Sequence, residues 1–137
     1  MPSAPIRQLL AGMWLTGIVG GVLDFALESR LPSHLQAYLA AELERPFEWT
    51  DAMLALLALV SFGFTVYSSI QLYRLRLEGR EPFAVGFAAG LVALLFFGPA
   101  VYNPWAAALY AASYSLGGAL IGWLYLPPRS GADHPAV

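Results

Sequence analysis

The residues of this chain with the greatest capacity for chemistry are two carboxylates near the end of its first apolar run. Asp24 and Glu28 belong to the stretch GGVLDFALESR, residues 20–30, which follows a segment whose only other charge is Arg7. An ionised acid within a membrane helix requires a hydrogen-bond donor or a cation, or its pKa rises until it is protonated. Asp24 is therefore the candidate for a protonatable coupling residue or a cation ligand.

The position of Asp24 favours a structural alternative, a hydrogen bond or ion pair that ties two helices together. Asp24 lies about 5 Å from the edge of the apolar run at a rise of about 1.5 Å per residue, whereas proton-coupling acids lie more often near the midplane. It also lies near the C-terminal end of a helix, where the dipole disfavours an anion. Possible partners at the same depth are Arg30, Arg45, Thr50, the amides at the start of the second span, Tyr102 and Asn103. The predicted polar site comprises Asp24, Glu28, Thr50, Tyr102 and Asn103.

Small residues share the helix face that carries Asp24. On a helical wheel Gly17, Gly20, Gly21, Asp24 and Glu28 fall within about 100°. Gly17 and Gly21 form a GxxxG pair, a spacing that lets a second helix approach closely. The same spacing recurs at Gly86/Gly90 and at Gly118/Gly122. We therefore predict that these glycines pack helices together in a compact bundle.

Two further stripes could line a polar path or mark helix contacts. One stripe contains Ala58, Ser61, Thr65 and Ser68, and the other contains Ala106, Tyr110, Ser113 and Gly117. Hydroxyl groups in membrane helices commonly donate to the carbonyl four residues earlier and sit at helix–helix contacts. We favour the contact interpretation and keep the polar path as the alternative.

The chain lacks the residues that most catalytic mechanisms and cofactors require. The chain has no cysteine, so thiolate metal sites are excluded, and its two histidines, His34 and His134, lie outside the apolar runs. No HExxH, GxSxG or P-loop motif occurs. The net charge of −2, without a dense basic patch, does not favour nucleic-acid binding. The sequence thus predicts a non-enzymatic protein with no catalytic residues, no cofactor, no metal site and no nucleic-acid partner.

The composition indicates a membrane protein. Hydrophobic residues make up 58% of the 137-residue chain and charged residues 12%, against about 25% charged in soluble domains. A helix needs about 20 apolar residues to cross a bilayer. Four stretches qualify, and they predict an all-α, four-helix transmembrane bundle that forms a single domain. The predicted spans are residues 9–27, 52–70, 83–101 and 104–126.

The distribution of arginines predicts the orientation. Four spans place both termini on one side, which would then hold Arg7, Arg74, Arg76, Arg80 and Arg129. Only Arg30 and Arg45 would lie opposite, so the positive-inside rule predicts N-in and C-in topology in the cytoplasmic (inner) membrane. The first run is too long for a signal peptide and lacks a small-x-small cleavage site, so we expect it to be retained.

The connections carry their own signals. Residues 34–44 fit a short amphipathic helix on the outer membrane surface, preceded by a capping box of Ser33 and Gln36. The second helix is expected to continue to a C-cap at Gly79, and Asp51 reads as an anion at that helix's N-terminus. Pro104 is expected to begin the last helix. The tails, 1–6 and 127–137, are predicted to be flexible.

Two classes of function fit these features. The favoured one is a non-catalytic structural or accessory subunit that packs with itself or with other membrane subunits in the bilayer. Its basis is the glycine pairs on three of the four spans and the lack of catalytic groups. The alternative is a small proton- or cation-coupled transporter or channel that uses Asp24, with the hydroxyl stripes along its path.

Overall fold

A computed structural model describes residues 3–96 and 101–126 of the chain. Four of the helices in this part are long and apolar enough to cross a membrane. The third of them reaches this length together with the 3₁₀ turn that precedes it. The rest of the described chain consists of turns and one shorter helix. The helices are α1 (Ser3–Leu27), α2 (Ser33–Glu44), α3 (Trp49–Tyr73), α4 (Arg80–Phe96) and α5 (Pro104–Tyr125), with 3₁₀ turns at Glu28–Arg30 and Leu77–Gly79.

The four long helices form two antiparallel pairs. α1 packs along α5 and α3 packs along α4, whereas the pairs meet each other over much smaller areas, α1 on α3 and α4 on α5. We call the end that holds Ser3, Tyr73 and Tyr125 the proximal end, and the end that holds Leu27 and Trp49 the distal end. Helix α2 connects the distal ends of α1 and α3 along the chain. None of its residues is buried.

The apolar core is concentrated at the proximal end. It joins all four long helices and consists of Ile6, Leu10, Met13, Leu72, Phe83, Leu120 and Leu124. Within the predicted tail 1–6, α1 begins at Ser3, and the side chain of Ile6, 3% exposed, packs into this core. Burial of this apolar side chain stabilises the start of the helix, although the sequence before the apolar run did not predict a helix there. The other predicted tail, 127–137, lies outside the described residues.

The end of α3 also differs from the prediction. The helix ends at Tyr73 instead of continuing to Gly79. Arg76 N–H donates to the carbonyl of Gln71 at 2.9 Å and Leu75 N–H to that of Leu72 at 2.9 Å, which is the Schellman pattern. Leu75 takes the left-handed position, with φ of 60°, where a glycine is usual.

Gly79 serves a different purpose from the predicted C-cap. It is buried in the turn before α4, and a Cβ there would lie 2.8 Å from both the Ser68 carbonyl oxygen and the Gln71 Cβ. No side chain fits at that distance, so glycine is what allows the turn to fold back against α3. The predicted C-cap at Gly79 is therefore wrong, and what requires glycine there is the close approach of the turn to α3.

The start of α2 shows no capping box. Pro32 occupies the N-cap and Ser33 is already helical, so its hydroxyl is not placed to cap. The Gln36 amide instead donates to the carbonyls of Leu31 and Ser29, at 2.7 and 3.0 Å. Gln36 thus fastens α2 to the turn that precedes it. The predicted extent, 34–44, agrees with the observed helix to one residue.

The last two spans meet where the sequence indicated. Asn103 is the N-cap of α5, its side chain accepts from the Trp105 N–H at 3.1 Å, and Pro104 occupies the first helical position. The described part of α4 ends at Phe96, and Val101 is not helical, so the predicted span 83–101 is too long at its end. Residues 97–100 lie outside the described part of the chain.

Candidate intramembrane polar site

Asp24 joins the end of α1 to the start of α5. Its Oδ1 accepts a hydrogen bond from the backbone N–H of Asn103 at 3.2 Å, across 79 residues of sequence. The carboxylate is half-buried. Asn103 in turn uses its side chain to cap α5. The two residues therefore form a short chain of hydrogen bonds that fixes where α5 begins relative to α1.

This arrangement explains how an acid is tolerated near the C-terminal end of α1. The dipole of α1 disfavours an anion at that place, but the N-terminal end of α5 lies against the carboxylate and presents positive potential. The bond to Asp24 also satisfies the Asn103 N–H, which has no partner within its own helix. The acid thus has a donor that requires no cation.

The other residues of the predicted polar site are only partly brought together. The Tyr102 ring packs edge-on against that of Tyr110, with centroids 5.2 Å apart. Glu28 is exposed in the 3₁₀ turn after α1 and shares a groove with Asp24. Thr50 is exposed and donates weakly to Glu48 Oε2, at 3.5 Å, so the structure gives it no hydrogen bond to Asp24 within the described residues.

The groove beside Asp24 is acidic. It has a volume of about 410 Å³ at the distal end, between α1 and α2, and Asp24, Glu28 and Glu42 line it together with apolar side chains. One of these acids, Glu42, forms an ion pair, with its Oε1 3.1 Å from Arg45 Nε. No group of three or more histidine, aspartate or glutamate side chains suited to a metal ion occurs within residues 3–96 and 101–126.

Arg45 organises the connection between α2 and α3. Its Nη2 lies 2.8 Å from Asp51 Oδ1, while Asp51 Oδ2 accepts from the Glu48 N–H at 2.9 Å. The hydrogen bond and charge of Asp51, with the charge of Glu42, raise the pKa of the exposed Arg45 guanidinium above its ordinary value. Glu48 is the N-cap of α3, and Asp51 is its partner at the third helical position in a capping box. Asp51 is thus an anion at that end of the helix, as expected, but it is not the N-cap itself, and it also holds the preceding loop.

Glycines on α1 allow it to lie close against α5. A Cβ at Gly17 would lie 3.2 Å from Ser113 Oγ, and one at Gly20 would lie 3.3 Å from the Tyr110 ring. Gly21 faces the Tyr110 hydroxyl, at 3.6 Å. Ser113 Oγ donates to the Met13 carbonyl at 2.8 Å, a bond that crosses from α5 to α1. The face that carries Asp24 is thus the one that packs on α5.

The second glycine pair packs α4 on α3, with unequal contributions. A Cβ at Gly86 would lie 2.9 Å from Phe64 Cβ and 3.1 Å from the Ser61 carbonyl oxygen. At Gly90 the nearest atom is Ser61 Cβ, at an ordinary 3.9 Å. Gly86 therefore marks the closest approach of the two helices, and Gly90 only borders it.

The third pair, Gly118 and Gly122, has no neighbour within the described chain. A Cβ at either position would meet nothing within 4 Å. The neighbouring Gly117, in contrast, is buried, and a Cβ there would overlap the ring of Phe87 on α4. The spacing in the sequence does not separate these cases, because one residue around the helix changes the direction by about 100°.

The hydroxyl stripe of α3 lines a cavity between the two helix pairs. This cavity of about 400 Å³ lies among α1, α3, α4 and α5, and the hydroxyl-bearing residues that line it are Ser61, Thr65, Ser113 and Tyr114. Ser61, Thr65 and Ser68 donate to the carbonyls four residues earlier, at 2.6–2.8 Å. Their protons are therefore engaged by backbone. Asp24 does not line this cavity but a separate groove, so within residues 3–96 and 101–126 the acid and these hydroxyls lie in different spaces.

Trp14 makes a polar contact that the sequence patterns did not predict. Its indole Nε1 donates to Ser69 Oγ at 3.2 Å, and its ring meets that of Phe62 edge-on, with centroids 5.9 Å apart. These contacts join α1 to α3 across the small area where the two pairs meet. The sequence does contain a sign of this contact. Trp14 lies within an apolar run, and a buried indole N–H usually has a hydrogen-bond partner.

We expect Asp24→Ala to destabilise the bundle by about 1–3 kcal/mol, because it leaves the half-buried Asn103 N–H without its acceptor. Asp24→Asn keeps an oxygen at the same place and is expected to cost clearly less. The measurement is the free energy of unfolding in detergent, from titration with SDS followed by circular dichroism. Glu28→Ala, an exposed acid four residues later, is the matched control and should change it by less than about 0.5 kcal/mol.

Equal losses for the alanine and asparagine variants would contradict this role. That result would mean that the charge of Asp24, and not its capacity to accept, determines stability.

No protein-family model, curated protein or solved structure matches this chain significantly.

Proposed function

We propose that this protein is a non-catalytic structural or accessory subunit of a membrane assembly, and that α5 presents a face to another transmembrane helix. The assembly consists either of further copies of this chain or of a larger membrane complex. The observation that supports this proposal is the lipid-facing side of α5. We call that side the small-residue face, and it comprises Ala108, Ala111, Ser115, Gly118, Ala119 and Gly122.

These residues lie on one side of α5, opposite its packed side. At about 100° per residue they fall within a sector of about 100°. The first five are exposed and Gly122 is half-buried with nothing near it. The opposite side of α5 carries the buried Ala106, Gly117, Leu120 and Leu124. The small-residue face is therefore available to a second helix.

The other lipid-facing surfaces are different in character. α1 exposes Leu15, Ile18 and Val22, and α3 exposes Leu59 and Phe62. Large apolar side chains are what a helix in contact with lipid usually presents. Small side chains instead let two backbones approach, so that van der Waals packing favours association in the absence of a hydrophobic driving force.

The proposed setting is the cytoplasmic membrane with both termini inside. Arg7, Arg74, Arg76 and Arg80 belong to the proximal end, while Arg30 and Arg45 belong to the distal end, and the positive-inside rule places the richer end in the cytoplasm. Helix α2 then lies on the outer surface, where its exposed Leu43 and half-exposed Leu39 can enter the interface.

The geometry gives less support to the alternative, a transporter or channel that uses Asp24. The carboxylate has a backbone donor, lies near one end of α1, and is separate from the cavity that holds the hydroxyls. A coupling role predicts that Asp24→Asn abolishes proton- or cation-dependent flux in proteoliposomes. Flux of that kind in the wild type, lost in this variant, would favour the alternative over the accessory function.

The test is purification in mild detergent with measurement of mass. We expect a defined oligomer or a stoichiometric membrane partner, and we expect Gly118→Ile to weaken the association at least about tenfold, a loss of roughly 1.4 kcal/mol, because the new side chain separates the backbones. The matched control is Gly63→Ile, which places the same side chain on an equally open position of α3.

Analytical ultracentrifugation of both variants at several detergent concentrations measures the association. A stable lone monomer without a partner would contradict the proposal. Equal weakening by Gly118→Ile and Gly63→Ile would also contradict it, since the effect would then be independent of the small-residue face.

A further inference from the structure

We propose that a groove between α1 and α3 at the proximal end binds one anionic phospholipid, with an acyl chain in the groove and the phosphate on Arg7 and Arg74. The groove has a volume of about 490 Å³. This inference is independent of the association through α5, because no residue of α5 lines the groove. The residues that line the groove are Leu10, Ala11, Trp14, Val66, Ser69, Ile70, Tyr73 and Arg74.

The two helices build this groove from matching faces. On α1 its residues follow Arg7 at the spacing i+3, i+4 and i+7, which keeps them on one side of the helix. On α3 they run from Val66 to Arg74, about 12 Å at a rise of about 1.5 Å per residue. One leaflet of the hydrocarbon core is about 15 Å thick. The groove thus covers most of the depth that an acyl chain occupies.

The walls of the groove are apolar and its floor is polar but satisfied. Trp14 Nε1 donates to Ser69 Oγ, so the hydrogen-bonding groups at the floor are engaged with each other. Ile70 and Tyr73 are about half exposed, at 48% and 53%. In a membrane these surfaces are covered by lipid, and a concave apolar groove holds a chain with more contact than a flat helix face does.

The charge at the mouth of the groove determines the class of lipid. Arg7 lies over the Tyr73 ring, 5.2 Å from its centroid, and its Nε donates to the Tyr73 carbonyl at 3.2 Å. This contact holds the guanidinium at the mouth and leaves its two terminal nitrogens. Arg74 follows directly on α3. Neither arginine has a carboxylate within 4 Å among the described residues.

Two guanidiniums at one end of the groove, one of them held on Tyr73, match a phosphate better than a neutral or zwitterionic group. Guanidinium binds phosphate through paired hydrogen bonds, and basic pockets between transmembrane helices bind anionic head groups. The groove and the arginines together therefore favour phosphatidylglycerol, or a lipid of similar charge, over phosphatidylcholine.

Quenching of Trp14 by brominated lipid tests this proposal. In a variant with Trp49, Trp105 and Trp123 changed to phenylalanine, Trp14 is the remaining indole. The protein is reconstituted into phosphatidylcholine vesicles that contain either phosphatidylglycerol or phosphatidylcholine brominated on the acyl chains. We expect the phosphatidylglycerol to quench at an effective concentration on the order of tenfold lower.

Three further variants separate head group from chain. Arg7→Gln with Arg74→Gln should abolish the preference, while Arg30→Gln, the same change at the distal end, should leave it intact. Ala11→Phe fills the groove without altering charge and should reduce quenching by both lipids. Soluble glycerol phosphate should not protect Trp14, because the chain supplies part of the binding.

Equal quenching by the two lipids would overturn the proposal, and so would a preference that survives the double arginine variant. In either case the arginines would interact with the interface only as snorkelling side chains. Multi-angle light scattering of the same protein in detergent, before reconstitution, reports its oligomeric state, so failure here is distinguishable from failure of the association through α5.

Discussion

Gly86→Leu is expected to separate α3 from α4 and to prevent formation of the folded bundle. The Cβ of any residue at position 86 would lie 2.9 Å from Phe64 Cβ and 3.1 Å from the Ser61 carbonyl oxygen. Both atoms are on or next to the backbone of α3, so rotation of a side chain cannot relieve the overlap. Overpacking of a core usually costs about 1–3 kcal/mol, and a leucine that forces two helix backbones apart should exceed that range.

The measurement for Gly86→Leu is the yield of monodisperse protein extracted from membranes, with unfolding by SDS for whatever is recovered. Two matched variants carry the same change. Gly63→Leu, on an open surface of α3, should behave like wild type, and Gly90→Leu should have an intermediate effect because its nearest neighbour lies at 3.9 Å. If Gly86→Leu resembled Gly63→Leu, the close contact of α3 with α4 would be wrong.

The comparison of these glycines shows how far the sequence can predict this fold. The four apolar helices follow from hydropathy, because a bilayer requires about 20 apolar residues whatever their partners. The GxxxG spacing predicts a close contact but does not name its partner. Gly17 faces α5, Gly86 faces α3, and Gly118 faces outward. The choice among these depends on how four helices pack together, which is a property of the whole chain.

The same limit applies to the candidate site and to the helix ends. Depth and wheel position placed Asp24 on a contact face near one end of α1, but only the structure gives it the Asn103 N–H as a partner. Gly79 stood where a C-cap was expected, yet α3 ends six residues earlier, with Leu75 in the left-handed position. Local signals identify unusual backbone, whereas contacts between elements decide its use.

Hydroxyl stripes show why a sequence pattern leaves two functions open until contacts are known. A row of serine and threonine residues has the same spacing in a polar path and in a helix contact. Here the protons of Ser61, Thr65 and Ser68 go to backbone carbonyls, and Ser113 crosses to α1. The side chains thus serve packing, which agrees with an accessory function more than with conduction.

The contact of Gly117 with Phe87 gives the second large expected effect. Gly117→Ala should destabilise the bundle by about 2–3 kcal/mol, because a Cβ would lie within 2.6 Å of the Phe87 Cζ. The ring cannot easily move aside. It stacks on the fully buried Phe83, with centroids 6.0 Å apart, and meets Tyr114 edge-on at 6.2 Å. The loss should appear although alanine favours helix over glycine by about 1 kcal/mol.

A double-mutant cycle identifies the cause of that loss. Phe87→Leu removes the overlapping ring, so Gly117→Ala should cost at least about 1.5 kcal/mol less in the Phe87→Leu background than in the wild type. Unfolding by SDS, followed by circular dichroism, measures all four proteins. Gly63→Ala, an open helical position, should be neutral or slightly stabilising. If the two changes were simply additive, α5 and α4 would not meet at Gly117 and Phe87.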